Sequence, residues 1–114
     1  MKNIISIILV FILALNINAQ EIKKNKNAKI EFHVDGVCGM CKKRIEKAAL
    51  SVSGVKLAVW NIDSGNLNLI INEEKTNPKN IQQAIANIGH DNDGQKTTDE
   101  AYNSLHACCQ YERK

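Results

Sequence analysis

Two cysteines separated by two residues, Cys38-Gly39-Met40-Cys41, are the side chains of this sequence best equipped for chemistry. Thiolates at that spacing converge on one soft metal ion or oxidise to a disulfide, and function turns on which of the two occurs. The further candidates for soft-metal ligation are His90 and a C-terminal group, His106, Cys108 and Cys109. Adjacent helical residues point about 100° apart, so Cys108 and Cys109 reach one ion together only where a helix ends. Four cysteines also allow three intramolecular disulfide pairings. No nucleophilic triad, phosphate loop or paired-carboxylate site is visible, and Asp91 and Asp93 lack the further acids of a calcium loop. The chain is therefore expected not to be an enzyme.

The elements that must position these thiols read clearly. Ile30, Phe32 and Val34 alternate on one strand face, with His33 on the opposite, surface side. Ile45, Ala48, Ala49 and Val52 form a helical stripe directly after Cys41. The pair thus sits in a strand-to-helix loop and a first helical turn, where free N–H groups and the helix dipole favour thiolate. Lys42, Lys43 and Arg44 add positive potential there. Ser53-Gly54 ends the helix, and Ala58, Trp60 and Ile62 share one face of a second strand. Asp63-Ser64-Gly65-Asn66 signals a hairpin into a strand with Leu67, Leu69 and Ile71 inward. Asn77-Pro78 starts a second helix with Ile81, Ala84, Ile85 and Ile88 inward, and Gly89 closes it.

Residues 90–98 show no apolar alternation, so a final strand there is expected to be short and at an edge. A C-terminal helix is expected from Ala101 to Cys109. It is expected to cover the otherwise open sheet face bearing Val55, Leu57, Val59 and Ile70. That path would carry His106, Cys108 and Cys109 toward Cys38 and Cys41.

The sequence has 114 residues. Its start, a lysine followed by the apolar run from Ile4 to Leu15 and a small residue at Ala19, reads as a secretory signal peptide over residues 1–19. The run is short for a transmembrane helix, which needs ~20 residues, so no membrane span is expected in the mature chain. Export, to a periplasm or the exterior, would place the cysteines outside a reducing cytosol. Without Lys2 the mature chain carries 14 basic and 12 acidic side chains, net +2. That is too little charge to argue for nucleic acid or an anionic membrane as partner. Residues 20–28, rich in Lys and Asn, read as a flexible arm, residues 29–98 as one small domain, and residues 99–114 as a helical extension.

From about Lys29 to His90 the sequence resembles the heavy-metal-associated domain family: a strand, Gly36, Cys38 and Cys41, a helix, Ser53-Gly54-Val55, a hairpin, a second helix and Gly89. The family includes copper chaperones, the N-terminal modules of metal-pumping ATPases and exported mercury-binding proteins. The resemblance implies an α+β, ferredoxin-like βαββαβ sandwich that carries a soft cation on the two cysteines. The family commonly writes Gly-Met-x-Cys-x-x-Cys, whereas Gly36-Val37-Cys38 is one residue shorter and Met40 lies between the cysteines. Its common Gly-Tyr after the second helix is here Gly89-His90, in a loop at the cysteine end of the sheet.

The reading that follows is an exported metallochaperone-like protein that sequesters or transfers Cu(I) first, Hg(II) second, with Zn(II) open. Its partner would be a metal-transporting pump or efflux component. A thiol–disulfide oxidoreductase using Cys38 and Cys41, or a binding module stapled by disulfides, stands as the alternative.

Overall fold

A computed structural model describes residues 23–114; the expected signal peptide over residues 1–19 lies outside the described residues. β1 (Ala28–His33), α1 (Gly39–Leu50), β2 (Val55–Trp60), β3 (Asn66–Ile71) and α2 (Pro78–Asn87) follow in chain order. The strands form one antiparallel sheet in the order β1-β3-β2. A fourth strand is reduced to one bridge, Val34 with Asn92, where the chain returns after α2. This is the α+β, ferredoxin-like architecture expected, with the last strand cut to a single pairing. The missing alternation of residues 90–98 leaves nothing to hold a longer edge strand.

One sheet face and the two long helices enclose the core. Phe32, Val34, Ala58, Trp60, Leu67, Leu69 and Ile71 pack against Ile45, Ala48, Ala49, Ile81 and Ile85. Burial of such a set, at roughly 25 cal/mol per Å² of apolar surface, is the main term holding the sandwich together. Asn77 caps α2 through Oδ1, which accepts from the Asn80 N–H at 3.0 Å, with Pro78 at the first helical position. Gly89 follows with φ of +106°, a conformation that costs a residue with a Cβ.

Three expectations need correction. Ile62 is 46% exposed, because β2 ends at Trp60 and residues 61–65 form the turn. The C-terminal helix does not run to Cys109. It stops as α3 (Asp99–Asn103), and a separate 3₁₀ turn follows at Ala107–Cys109. Ser104 Oγ donates back to the Ala101 carbonyl, and Leu105 turns into the core. The third correction is that the tail does not cover the open sheet face: Leu57 and Val59 remain 46% and 44% exposed. Its apolar side chains Leu105, Cys109 and Tyr111 are instead buried in the main core. Leu105 and the Ala101 carbonyl lie so close to Gly89 that a Cβ there would approach them to 3.0 and 2.8 Å. Of the arm, Asn25 exchanges hydrogen bonds with Glu73, N–H to Oε1 at 3.0 Å and carbonyl to N–H at 2.9 Å.

Candidate metal centre

Cys38 is the N-cap of α1 with extended backbone, and Cys41 lies in the first turn, so both residues sit at the end where the helix N–H groups lack intrahelical partners. The two Sγ atoms are 3.5 Å apart. Hydrogen bonding from the Cys41 backbone N–H, helped by the Cys41 thiol and the Met40 N–H, outweighs desolvation and lowers the Cys38 thiol to about 7. Cys38 is therefore substantially thiolate at neutral pH, ready to bind a soft cation. Cys41 is fully buried and Cys38 partly so.

The loop is held from behind. Trp60, at the end of β2, is buried and its Nε1 donates to the carbonyls of Val34 (3.1 Å) and Gly65 (3.0 Å). A Cβ on Gly36 would sit 3.0 Å from the Trp60 ring and 3.2 Å from Cys41 Cβ. Only glycine lets the loop lie this close to the indole. Lys42 Nζ donates to the Trp60 carbonyl at 2.8 Å and pairs with Glu46, whose carboxylate also accepts the Trp60 N–H at 2.9 Å. Arg44 donates to the Ile88 carbonyl at 2.9 Å, tying α1 to the end of α2. These cations are structural ties as well as a source of positive potential.

His90 lies behind the loop, wholly buried. Its Nδ1 is 2.7 Å from the Asp35 carbonyl and so carries the proton, while Nε2 is buried without a hydrogen-bond partner among the described residues. Desolvation lowers its pKa, keeping the ring neutral. The ring stacks on Tyr111 with centroids 5.6 Å apart.

The tail supplies further sulfur. Cys109 Sγ is 3.8 Å from Cys38 Sγ, and the Sγ atoms of Cys38, Cys108 and Cys109 all lie within 4.8 Å of one another. Cys109 is buried, and desolvation followed by its neighbouring thiols raises its pKa well above the usual thiol range. Cys108 is exposed, with its Sγ 3.9 Å from Met40 Sδ. All four cysteines are free thiols. His90 and His106 are not in that thiol group; His106 is exposed.

Several side chains that hold the tail carry no signal in the sequence alone. The Tyr111 hydroxyl donates to the Gly89 carbonyl at 2.9 Å and accepts the Asp91 N–H at 2.8 Å, and burial raises its pKa to about 12. Asp91, itself buried, pairs with Arg113 at 3.0 Å and accepts the Thr97 N–H at 2.8 Å. Met40 as a neighbour of Cys108 was equally hidden. Its place between the cysteines was visible, but its partner lies 68 residues away.

The comparisons agree with this geometry. The model of the heavy-metal-associated domain matches residues 31–91. Among solved structures, the CopZ metallochaperone is 27% identical with a TM-score of 0.55, the match covering 57% of this chain and 98% of that one. The N-terminal domain of a potential copper-translocating P-type ATPase from Bacillus subtilis, in its Cu(I)-loaded state, is 25% identical with a TM-score of 0.55, covering 58% and 84%. Oxidized MerP from Ralstonia metallidurans CH34, at 21% identity and the same TM-score over 58% and 93%, shares the fold. No curated protein sequence matches the chain. With the matched segment running from β1 through both cysteines and both helices to Asp91, this chain belongs to the heavy-metal-associated domain family.

Proposed function

We propose that this protein is an exported carrier of a thiophilic cation, Cu(I) before Hg(II), with Zn(II) third. It holds its cargo on Cys38 and Cys41 and passes it to a metal-transporting pump or efflux component. The observation that carries the reading is the pair of free thiols 3.5 Å apart at a helix N-terminus, one of them lowered to about 7. Soft thiolates select Cu(I) and related ions over hard cations. The likeness to CopZ and to a Cu(I)-loaded ATPase domain, both at 25% identity or above, supports copper and a pump partner. Export rests on the residue pattern of the first 19 positions.

Each thiol has a separate part in this. Cys38, partly exposed and thiolate-prone, is the first to meet an incoming ion or a partner's ligand; Cys41, buried, closes the chelate. Release runs in reverse, with one thiolate displaced at a time, so the ion is never free. The oxidation state of the metal does not change. Trp60, Glu46 and Lys42 fix the loop so that both sulfurs keep their spacing. Metal analysis of protein isolated anaerobically from cells grown with each metal tests the choice of cargo. Copper should dominate, and zinc alone at full occupancy would overturn it. An intact-mass measurement on exported protein should show a mature chain beginning at Gln20.

A thiol–disulfide oxidoreductase remains the rival, because thiols 3.5 Å apart also oxidise readily. An insulin-reduction assay separates the two readings. Activity no greater than that of a small free dithiol is expected, and robust turnover lost on mutating Cys38 or Cys41 would favour the enzyme.

A further inference from the structure

Cys38 is the hub of a larger group of sulfur atoms than one chelated ion requires. Its Sγ lies 3.5 Å from Cys41 Sγ and 3.8 Å from Cys109 Sγ, and it forms with Cys108 and Cys109 a triangle no side of which exceeds 4.8 Å. Met40 Sδ, 3.9 Å from Cys108 Sγ, adds a thioether at the outer corner. Monovalent copper is satisfied by two or three soft sulfur ligands, and a thiolate has lone pairs enough to bridge two ions. Four thiols, Cys38 among them, with a thioether beside Cys108 therefore exceed the needs of a single Cu(I).

The tail sulfurs are held there by anchors of their own. Leu105, Cys109 and Tyr111 are buried in the core, the Tyr111 hydroxyl is bonded to Gly89 and Asp91, and Arg113 bridges Asp91 and Asp99 at 3.0 and 2.7 Å. A break in the helix places Cys108 and Cys109 in a 3₁₀ turn, where adjacent side chains can both address Cys38. The matched family segment ends at residue 91, so Leu105, Cys108, Cys109, Tyr111 and Arg113 are all supplied by chain beyond it.

We propose that the C-terminal cysteines make this a two-copper site: Cys38 and Cys41 hold one Cu(I), Cys38, Cys108 and Cys109 hold a second, and the Cys38 thiolate bridges them. This rests on the carrier reading above and adds its capacity. The first ion lies beside buried Cys41; the second lies on the exposed side, next to Cys108 and Met40, and is the one exchanged first. Loading releases the protons of the ligating thiols to solvent, and the copper stays monovalent throughout.

The test is native mass spectrometry with anaerobic Cu(I) titration against a chromophoric chelator, on the reduced full chain and two variants. Wild type should carry two Cu(I) per monomer. Cys108→Ser, at an exposed position, should weaken the second ion at least tenfold while leaving the first and the melting temperature unchanged. Cys108→Ser with Cys109→Ser should carry one. A single ion on wild type, two ions on the double variant, or a second ion seen only in dimers would overturn the two-copper site while leaving the carrier intact. No Cu(I) binding by any of the three would overturn both.

Discussion

Tyr111→Phe removes one oxygen and leaves the ring, so it isolates the bond network that docks the tail. The hydroxyl is buried and makes two hydrogen bonds, to the Gly89 carbonyl at 2.9 Å and from the Asp91 N–H at 2.8 Å. Phenylalanine keeps the stack on His90 and the edge contact with Tyr102, whose ring centroids lie 5.6 and 5.1 Å away. It leaves two main-chain groups without partners. At ~1 kcal/mol or more for each buried group left unsatisfied, the loss is about 2 kcal/mol. For a folded domain of this size that lowers the melting temperature by roughly 10 °C. Tyr102→Phe is the control: its hydroxyl donates to the Tyr111 carbonyl from a half-buried position, so the loss should be smaller. Thermal melts monitored by circular dichroism, with hydrogen exchange at the Asp91 and Cys109 amides, read both effects. Tyr111→Phe melting like wild type, with those amides still protected, would refute the claim that this hydroxyl docks the tail.

The apo protein should lose stability in acid, in two stages. Burial lowers the His90 pKa, so the unfolded chain binds the proton more readily and stability falls as pH drops below about 6.5. Asp91 is pushed up by burial but held below its ordinary value by Arg113 and the Thr97 N–H, so a further loss follows below about 4. Urea midpoints at pH 7.5, 5.5 and 3.5 should fall in turn, and a flat profile from 7.5 to 5.5 would contradict the His90 assignment. Gly36→Ala should cost about 1–3 kcal/mol by overpacking, because the buried, doubly hydrogen-bonded Trp60 indole cannot retreat from a Cβ 3.0 Å away. The same variant should bind Cu(I) more weakly in chelator competition, and unchanged stability with unchanged affinity would show that the loop has slack.

What the sequence disclosed was what local rules decide. Asn77, Pro78 and Gly89 mark the ends of α2 because capping and left-handed backbone are set within a few residues. The alternation of Ile30, Phe32 and Val34 and the stripe through Ile45 and Ala49 place the thiols at a strand-to-helix junction. The near absence of a fourth strand was equally readable, since residues 90–98 offer no apolar face. The tail was not readable in the same way. Its path depends on Tyr111 meeting Gly89 and Asp91, and on Arg113 meeting Asp91, contacts over 20 and 22 residues that no period encodes. The open sheet face looked in need of cover, yet the larger gain for Leu105, Cys109 and Tyr111 was full burial in the main core. His90 reads as a loop residue near the cysteines, and only packing shows that it is enclosed and turned to the Asp35 carbonyl.

The central claim is that Cys38 and Cys41 bind the cargo, and anaerobic Cu(I) titration of the reduced chain against a competing chelator tests it most directly. Wild type should outcompete the chelator with the absorption of thiolate-to-copper charge transfer. The Cys38→Ser, Cys41→Ser double variant, which keeps Cys108 and Cys109, should lose most of that absorption and at least about a hundredfold in affinity, more than loss of a supporting residue around a metal site usually costs. A double variant that binds Cu(I) as tightly as wild type would contradict the account.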